Sequence, residues 1–168
     1  MRTFALAVLV VTAALGGASA GAAGKPDWAA AAKPGTNTLA QLVMADENLD
    51  LLQAALEHAG AMEGIDGFRQ LTLFAPTDAA FIRLLEAVDE ADALAKIQMM
   101  DRDELALVLV HHLLEGRRHS RSVLSAPTYV MLSGRKLQQE TLVAAGFVSF
   151  DTSASNGILH VIDSVLSP

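Results

Sequence analysis

The stretch Leu71-Thr72-Leu73-Phe74-Ala75-Pro76-Thr77-Asp78-Ala79-Ala80-Phe81 constrains the rest of the chain most strongly. Leu71, Leu73 and Ala75 alternate with Thr72 and Phe74, as in a strand covered on both faces. Pro76 has no amide hydrogen to donate, so the ladder is expected to stop there. Thr77 suits a helix N-cap, and Asp78 adds negative charge to the first turn, near the positive end of the helix dipole. Phe81, Leu84, Leu85 and Val88 follow at helical spacing and give one apolar face. A core strand thus becomes a core helix within three residues. Helices from upstream must cover it, and the rest of the sheet must come from downstream.

The N-terminus reads as an export signal over residues 1–20. Arg2 gives a positive start, Phe4 to Leu15 is apolar, and Ala18-Ser19-Ala20 offers small residues at a cleavage point before Gly21. The apolar run is shorter than a membrane span, so no transmembrane segment is expected in the mature chain. That chain would be secreted, either to a periplasm or outside the cell. Residues 21–35 are alanine-rich, with Pro26 and Pro34, and read as a flexible lead-in; Trp28 within it either docks on the domain or stays exposed. Residues 36–168 are of single-domain length. The 168-residue chain has no cysteine, which excludes disulfides and thiolate metal sites. Its net charge of -7 argues against nucleic acid, whose binders neutralise phosphates.

In chain order, Thr36-Asn37-Thr38 caps a short helix carrying Leu39, Leu42 and Val43. An amphipathic helix with Leu51, Leu52, Ala55 and Leu56 runs to Gly60. Met62 and Ile65 sit in a segment whose Gly64 and Gly67 favour turns. Residues 92–100 predict a further short helix. Asp101 to Glu104 predict the cap and charged first turn of another, with Leu105, Leu109 and His112 on one stripe, Leu113 beside it and Gly116 ending it. The final third reads as strands at Val130–Leu132, Leu137, Thr141–Val143 and Phe147–Phe150. A Ser155-Asn156-Gly157 turn then leads to a strand over Ile158–Ile162. Helices followed by strands indicate an α+β fold.

Three separated pieces coincide with one family pattern. LTLFAPTDAAF at Leu71 to Phe81 resembles the first signature of fasciclin-type domains, HHLLEG at His111 to Gly116 their central tyrosine-histidine segment, and SNGILHVIDSVLSP at Ser155 to Pro168 their closing signature. The resemblance extends over roughly residues 36–168 and is similar in scale to the single-domain secreted bacterial members. It implies a twisted β-wedge with an N-terminal helical cover, exported and often serving cell or matrix adhesion. His111 stands where the family tyrosine is expected, while His112 keeps the histidine position. The receptor-adhesion mode linked to that tyrosine in animal members is therefore not carried over.

The polar residues within these motifs have structural readings first. Adjacent helical residues point about 100° apart, so His111 and His112 do not share a metal ion. His112 reads as a semi-buried hydrogen-bonding residue and His111 as an exposed one able to respond to acid. Thr77 and Asp78 read as cap residues, Asn156 and Gly157 as the turn, and His160 and Asp163 as opposite-facing residues at the last strand. Arg117, Arg118, His119 and Arg121 form a basic patch on an acidic protein and, with His111, make up the candidate binding surface. An acidic sugar, a phosphate or a membrane headgroup would suit it. Met62, Met99, Met100 and Met131 are scattered, and no phosphate cradle or paired-histidine motif occurs, so neither metal nor cofactor is expected.

The leading functional reading is an exported, non-enzymatic binding module contributing to cell-surface or extracellular-matrix adhesion. Its partner would be a surface protein, a matrix protein or a glycan, and weak self-association would multiply weak single contacts. A carrier or sensor of a small apolar ligand, held between helices and sheet, is the first alternative. A hydrolase using His112 or His160 is the second, although Ser153, Ser155 and Ser164 show no nucleophile elbow.

Overall fold

The computed structural model describes residues 35–67 and 69–167. The expected export signal, Trp28 and the expected lead-in as far as residue 34 lie outside the described residues. The elements in order are α1 (Leu39–Met44), α2 (Asp50–His58), α3 (Met62–Asp66), β1 (Leu71–Pro76), α4 (Asp78–Leu84), α5 (Glu90–Met99) and α6 (Arg102–His111). They continue as β2 (Leu113–Glu115), α7 (Ser120–Val123), β3 (Thr128–Val130), β4 (Lys136–Gln138), α8 (Gln139–Ala144), β5 (Phe147–Ala154) and β6 (Gly157–Ile162). The fold is α+β.

The main sheet has the order β2-β1-β6-β5, and β3 and β4 form a separate two-stranded ribbon. β1 lies at its centre, antiparallel to β2 and parallel to β6, with Leu71 opposite Gly157 and Pro76 opposite Ile162. All six β1 residues are buried. Pro76 ends the strand without ending the register, because the Thr77 amide still donates to the Ile162 carbonyl.

The pleat sends alternate side chains to two cores. Leu71, Leu73, Ala75, Leu159 and Val161 face the helical cover and pack with Leu39, Val43, Leu52, Phe81, Ile97 and Leu105. Phe74 and Ile162 face the other way, against Leu114, Val123, Tyr129, Met131, Leu137 and Leu142. Each fully buried Leu or Ile stabilises the fold by roughly 1.5–3 kcal/mol before its lost rotamer freedom is counted.

The hairpin turn between β5 and β6 fastens the cover to the sheet. The Asn156 side-chain oxygen accepts from the Leu39 amide at 2.9 Å, and its amide group donates to the carbonyls of Ile65 and Gly67 at 2.8 and 3.0 Å. A Cβ on Gly157 would lie 2.2 Å from the Leu71 carbonyl oxygen, so no larger residue fits that crossing.

Several local expectations give way to tertiary context. Thr141–Val143 belongs to helix α8 rather than a strand, since the helical turn is what carries Leu142 and Ala145 into the second core. Helix α6 stops at His111; His112 is its C-cap, and Leu113 starts β2, where Leu113 and Leu114 are buried on opposite faces. Gly116 therefore ends a strand, at φ +86°. Val88 lies beyond α4 and is 90% exposed. Met62 and Ile65 lie in the short helix α3, which buries Ile65.

Candidate functional site

Between β2 and α7 the chain crosses the sheet face opposite the helical cover as a strap. Thr72 Oγ1 on β1 donates to the Gly116 carbonyl at 2.7 Å and accepts from the Arg118 amide at 2.8 Å. The Arg118 carbonyl accepts from His160 Nε2 on β6 at 2.8 Å. Ser120 donates through its amide and its hydroxyl to the Asp151 carboxylate on β5, at 2.7 and 2.6 Å. The strap is thus tied to three successive strands, largely through backbone groups.

His160 is buried beneath it. Because the Asp151 amide donates to Nδ1 at 3.2 Å, the ring proton sits on Nε2 and goes to the Arg118 carbonyl. The ring stacks on Phe74 at 5.6 Å and meets Phe147 and Phe150 edge-on. Burial lowers its pKa, opposed by the Arg118 carbonyl and by the Asp151 charge. Asp151 itself has φ +59°, at an irregularity in the β5–β6 register. Burial raises its carboxyl, but the Ser120 bonds and the nearby histidines outweigh that and hold it low.

The candidate surface residues separate. His111 is buried at 2% exposure rather than exposed; its Nδ1 meets Ser133 Oγ at 2.8 Å, because the end of α6 packs against the β3–β4 connection. Burial, then the Arg135 charge, lowers its pKa. Arg117 does not face outward either. Its guanidinium donates to the Ala154 carbonyl at 2.8 Å, Ser153 Oγ at 2.7 Å and Gln70 Oε1 at 3.2 Å, and so clamps the end of β5. Arg118 and Arg121 are exposed, and His119 is half-exposed, 3.5 Å from the Asp151 carboxylate.

The motif residues hold the frame. His112 donates from Nδ1 to the Val108 carbonyl and accepts at Nε2 from the Leu166 amide, each at 2.8 Å, which latches the C-terminal segment to α6. Burial pushes its pKa down to about 4. Thr77 Oγ1 caps α4 through the Ala80 amide and reaches Asp163, whose carboxylate pairs with Arg83 at 2.8 Å. Asp78 sits in the first turn of α4, yet its carboxylate accepts from the Leu51 amide at 2.8 Å and caps α2.

No sequence signal announces the Arg117 clamp or the Ser120–Asp151 pair, since each joins residues 31 or more positions apart. Ser120, Asp151 and His119 are close together but not arranged for nucleophilic attack: the hydroxyl donates directly to the carboxylate, whereas an activated serine donates to an imidazole. Where the cover meets the sheet edge, a depression of about 440 Å³ is floored by Leu159 and Val161 and rimmed by Asp46 and Glu47. No helix among the described residues is long and apolar enough to cross a membrane.

These features define an α+β domain whose polar motif residues are occupied in holding a helical cover and a strap on a central sheet. The chain belongs to the fasciclin domain family, whose profile matches residues 47–168. It is 29% identical to protein sll1483 of Synechocystis over 148 residues, covering 82% of this chain and 77% of that one. It is 26% identical to transforming growth factor-beta-induced protein ig-h3 of Sus scrofa over 140 residues, covering 79% of this chain but only 20% of that longer protein. A solved fasciclin domain pair from the insect cell adhesion molecule fasciclin I shares the fold, with a TM-score of 0.59 at 15% identity, over 79% of this chain and 51% of that one.

Proposed function

We propose that this protein is an exported, non-enzymatic binding module that contributes to cell-surface or matrix adhesion through its β2–α7 segment. The observation that carries this reading is the division of labour along the strap. Arg117 and the backbone of 116–120 fasten it to the sheet, while Arg118 and Arg121 are exposed beside His119. Because the backbone that carries these guanidinium groups is already fixed, binding an anionic partner costs side-chain entropy but no further backbone entropy. Membership of a family that includes a cell adhesion molecule supports the same reading. The partner is an acidic surface protein, matrix protein or glycan, met in a periplasm or outside the cell.

The test is capture of purified mature protein by intact cells and matrix of the producing organism, across a salt series. Saturable binding that falls several-fold by about 0.5 M salt, as screening shortens the reach of charge, is the expected result. The double variant Arg118→Gln/Arg121→Gln should lose that binding with its circular dichroism spectrum unchanged. Full capture by this variant would remove the β2–α7 segment from the reading.

A further inference from the structure

Charge is divided unequally along the domain. Residues 35–104 carry fourteen Asp or Glu against four Lys or Arg, whereas residues 105–168 carry four against five. The division follows the fold: the first set supplies the helical cover on one face of the sheet, and the second supplies the strap and α7 on the other.

On the cover, α2 and α5 leave a surface furrow. Two adjoining depressions of about 240 and 670 Å³ share Ala54, Glu57 and Leu94. The furrow is apolar along its floor, where Leu94 is 36% exposed, and acidic at its lip. At one end Asp50, Asp78 and Glu90 bring carboxylate oxygens within 4.8 Å of one another. Burial, and beyond it the charges of Glu90 and Asp50, raise the Asp78 carboxyl. A trough of this kind suits a cationic head on an apolar stem, as an arginine provides.

We propose that the α2–α5 furrow receives the β2–α7 segment of a second copy of this chain, with Arg118 and Arg121 at its acidic lip and Leu124, itself 37% exposed, toward Leu94. Charge complementarity selects this occupant: the acidic trough and the basic segment are both present on every molecule. They lie on opposite faces of the sheet, so the contact is heterologous, and each copy keeps one free half after pairing. Association is head to tail, weak and salt-sensitive, and it multiplies any single adhesive contact. This inference rests on the reading of β2–α7 as the binding segment and names a partner for it.

The test is sedimentation velocity of the mature chain over a concentration series, at low salt and at about 0.5 M salt. The weight-average sedimentation coefficient should rise with concentration at low salt and return to that of the monomer at high salt. Arg118→Glu/Arg121→Glu should be monomeric by itself. So should Gln53→Lys/Glu57→Lys, which sets two ammonium groups in the furrow and cancels most of its negative charge while leaving Asp50, Asp78 and Glu90 in place. Mixed in equal amounts the two variants should associate again, since each then offers the half the other lacks. A wild type that stays monomeric in low salt, or folded variants that associate as the wild type does, would overturn the inference. Loss of cell capture by Arg118→Gln/Arg121→Gln with a monomeric wild type would leave the adhesion reading standing while this one falls.

Discussion

His112 shows how one buried side chain makes stability depend on pH. Its native pKa is about 4, against 6.5 for an ordinary histidine, so between those values the unfolded chain binds the extra proton and the native chain does not. Its contribution is therefore complete above pH 6.5 and lost as pH falls toward 4, by about 3 kcal/mol in all. His111 and His160 are also lowered by burial and act in the same direction. Urea unfolding at a series of pH values should show this loss, and His112→Gln, which cannot take up the proton, should flatten most of it. Gly157 makes a steric demand instead: Gly157→Ala places a methyl against the Leu71 carbonyl and should cost about 2–4 kcal/mol. An unchanged melting temperature would show that β1 and β6 can move apart.

At the scale of elements, caps come from far along the chain. Helix α2 has no side-chain cap from its own N-cap residue, Leu49; the carboxylate of Asp78, 27 residues later, takes the Leu51 amide. Asp78→Ala should destabilise the protein by about 1 kcal/mol and speed hydrogen exchange at Leu51. Asp78→Asn keeps an acceptor and removes a charge that burial, Glu90 and Asp50 disfavour, so it should be at least as stable as the wild type at neutral pH. A less stable Asn variant would mean that the charge itself matters to the α2 dipole. The Leu71–Phe81 element was legible because strand alternation, proline and a threonine cap agree within a few residues. The α8 helix was not: Thr-Leu-Val favours a strand locally, and the need to carry Leu142 and Ala145 into the second core overrides it.

Across the whole molecule, two cores on either side of one sheet give the domain two chemically different outer faces. Salt is the condition that separates their roles. Internal contacts such as the Arg117 clamp should survive about 0.5 M salt, whereas capture through Arg118 and Arg121, and pairing with the α2–α5 furrow, should not. The α+β class, the family and the central strand-to-helix switch were legible in the chain itself, because hydrophobic period and capping are local properties; the turn expected at Asn156-Gly157 falls at Ser155-Asn156, and Gly157 opens β6 without a positive φ. Contacts between distant segments bury His111, turn Arg117 onto β5, bring Ser120 to Asp151 and set the acidic and basic surfaces on opposite faces of the sheet. Each of those depends on where distant segments meet, and spacing along a chain carries no record of which side of a sheet a returning strap will cross.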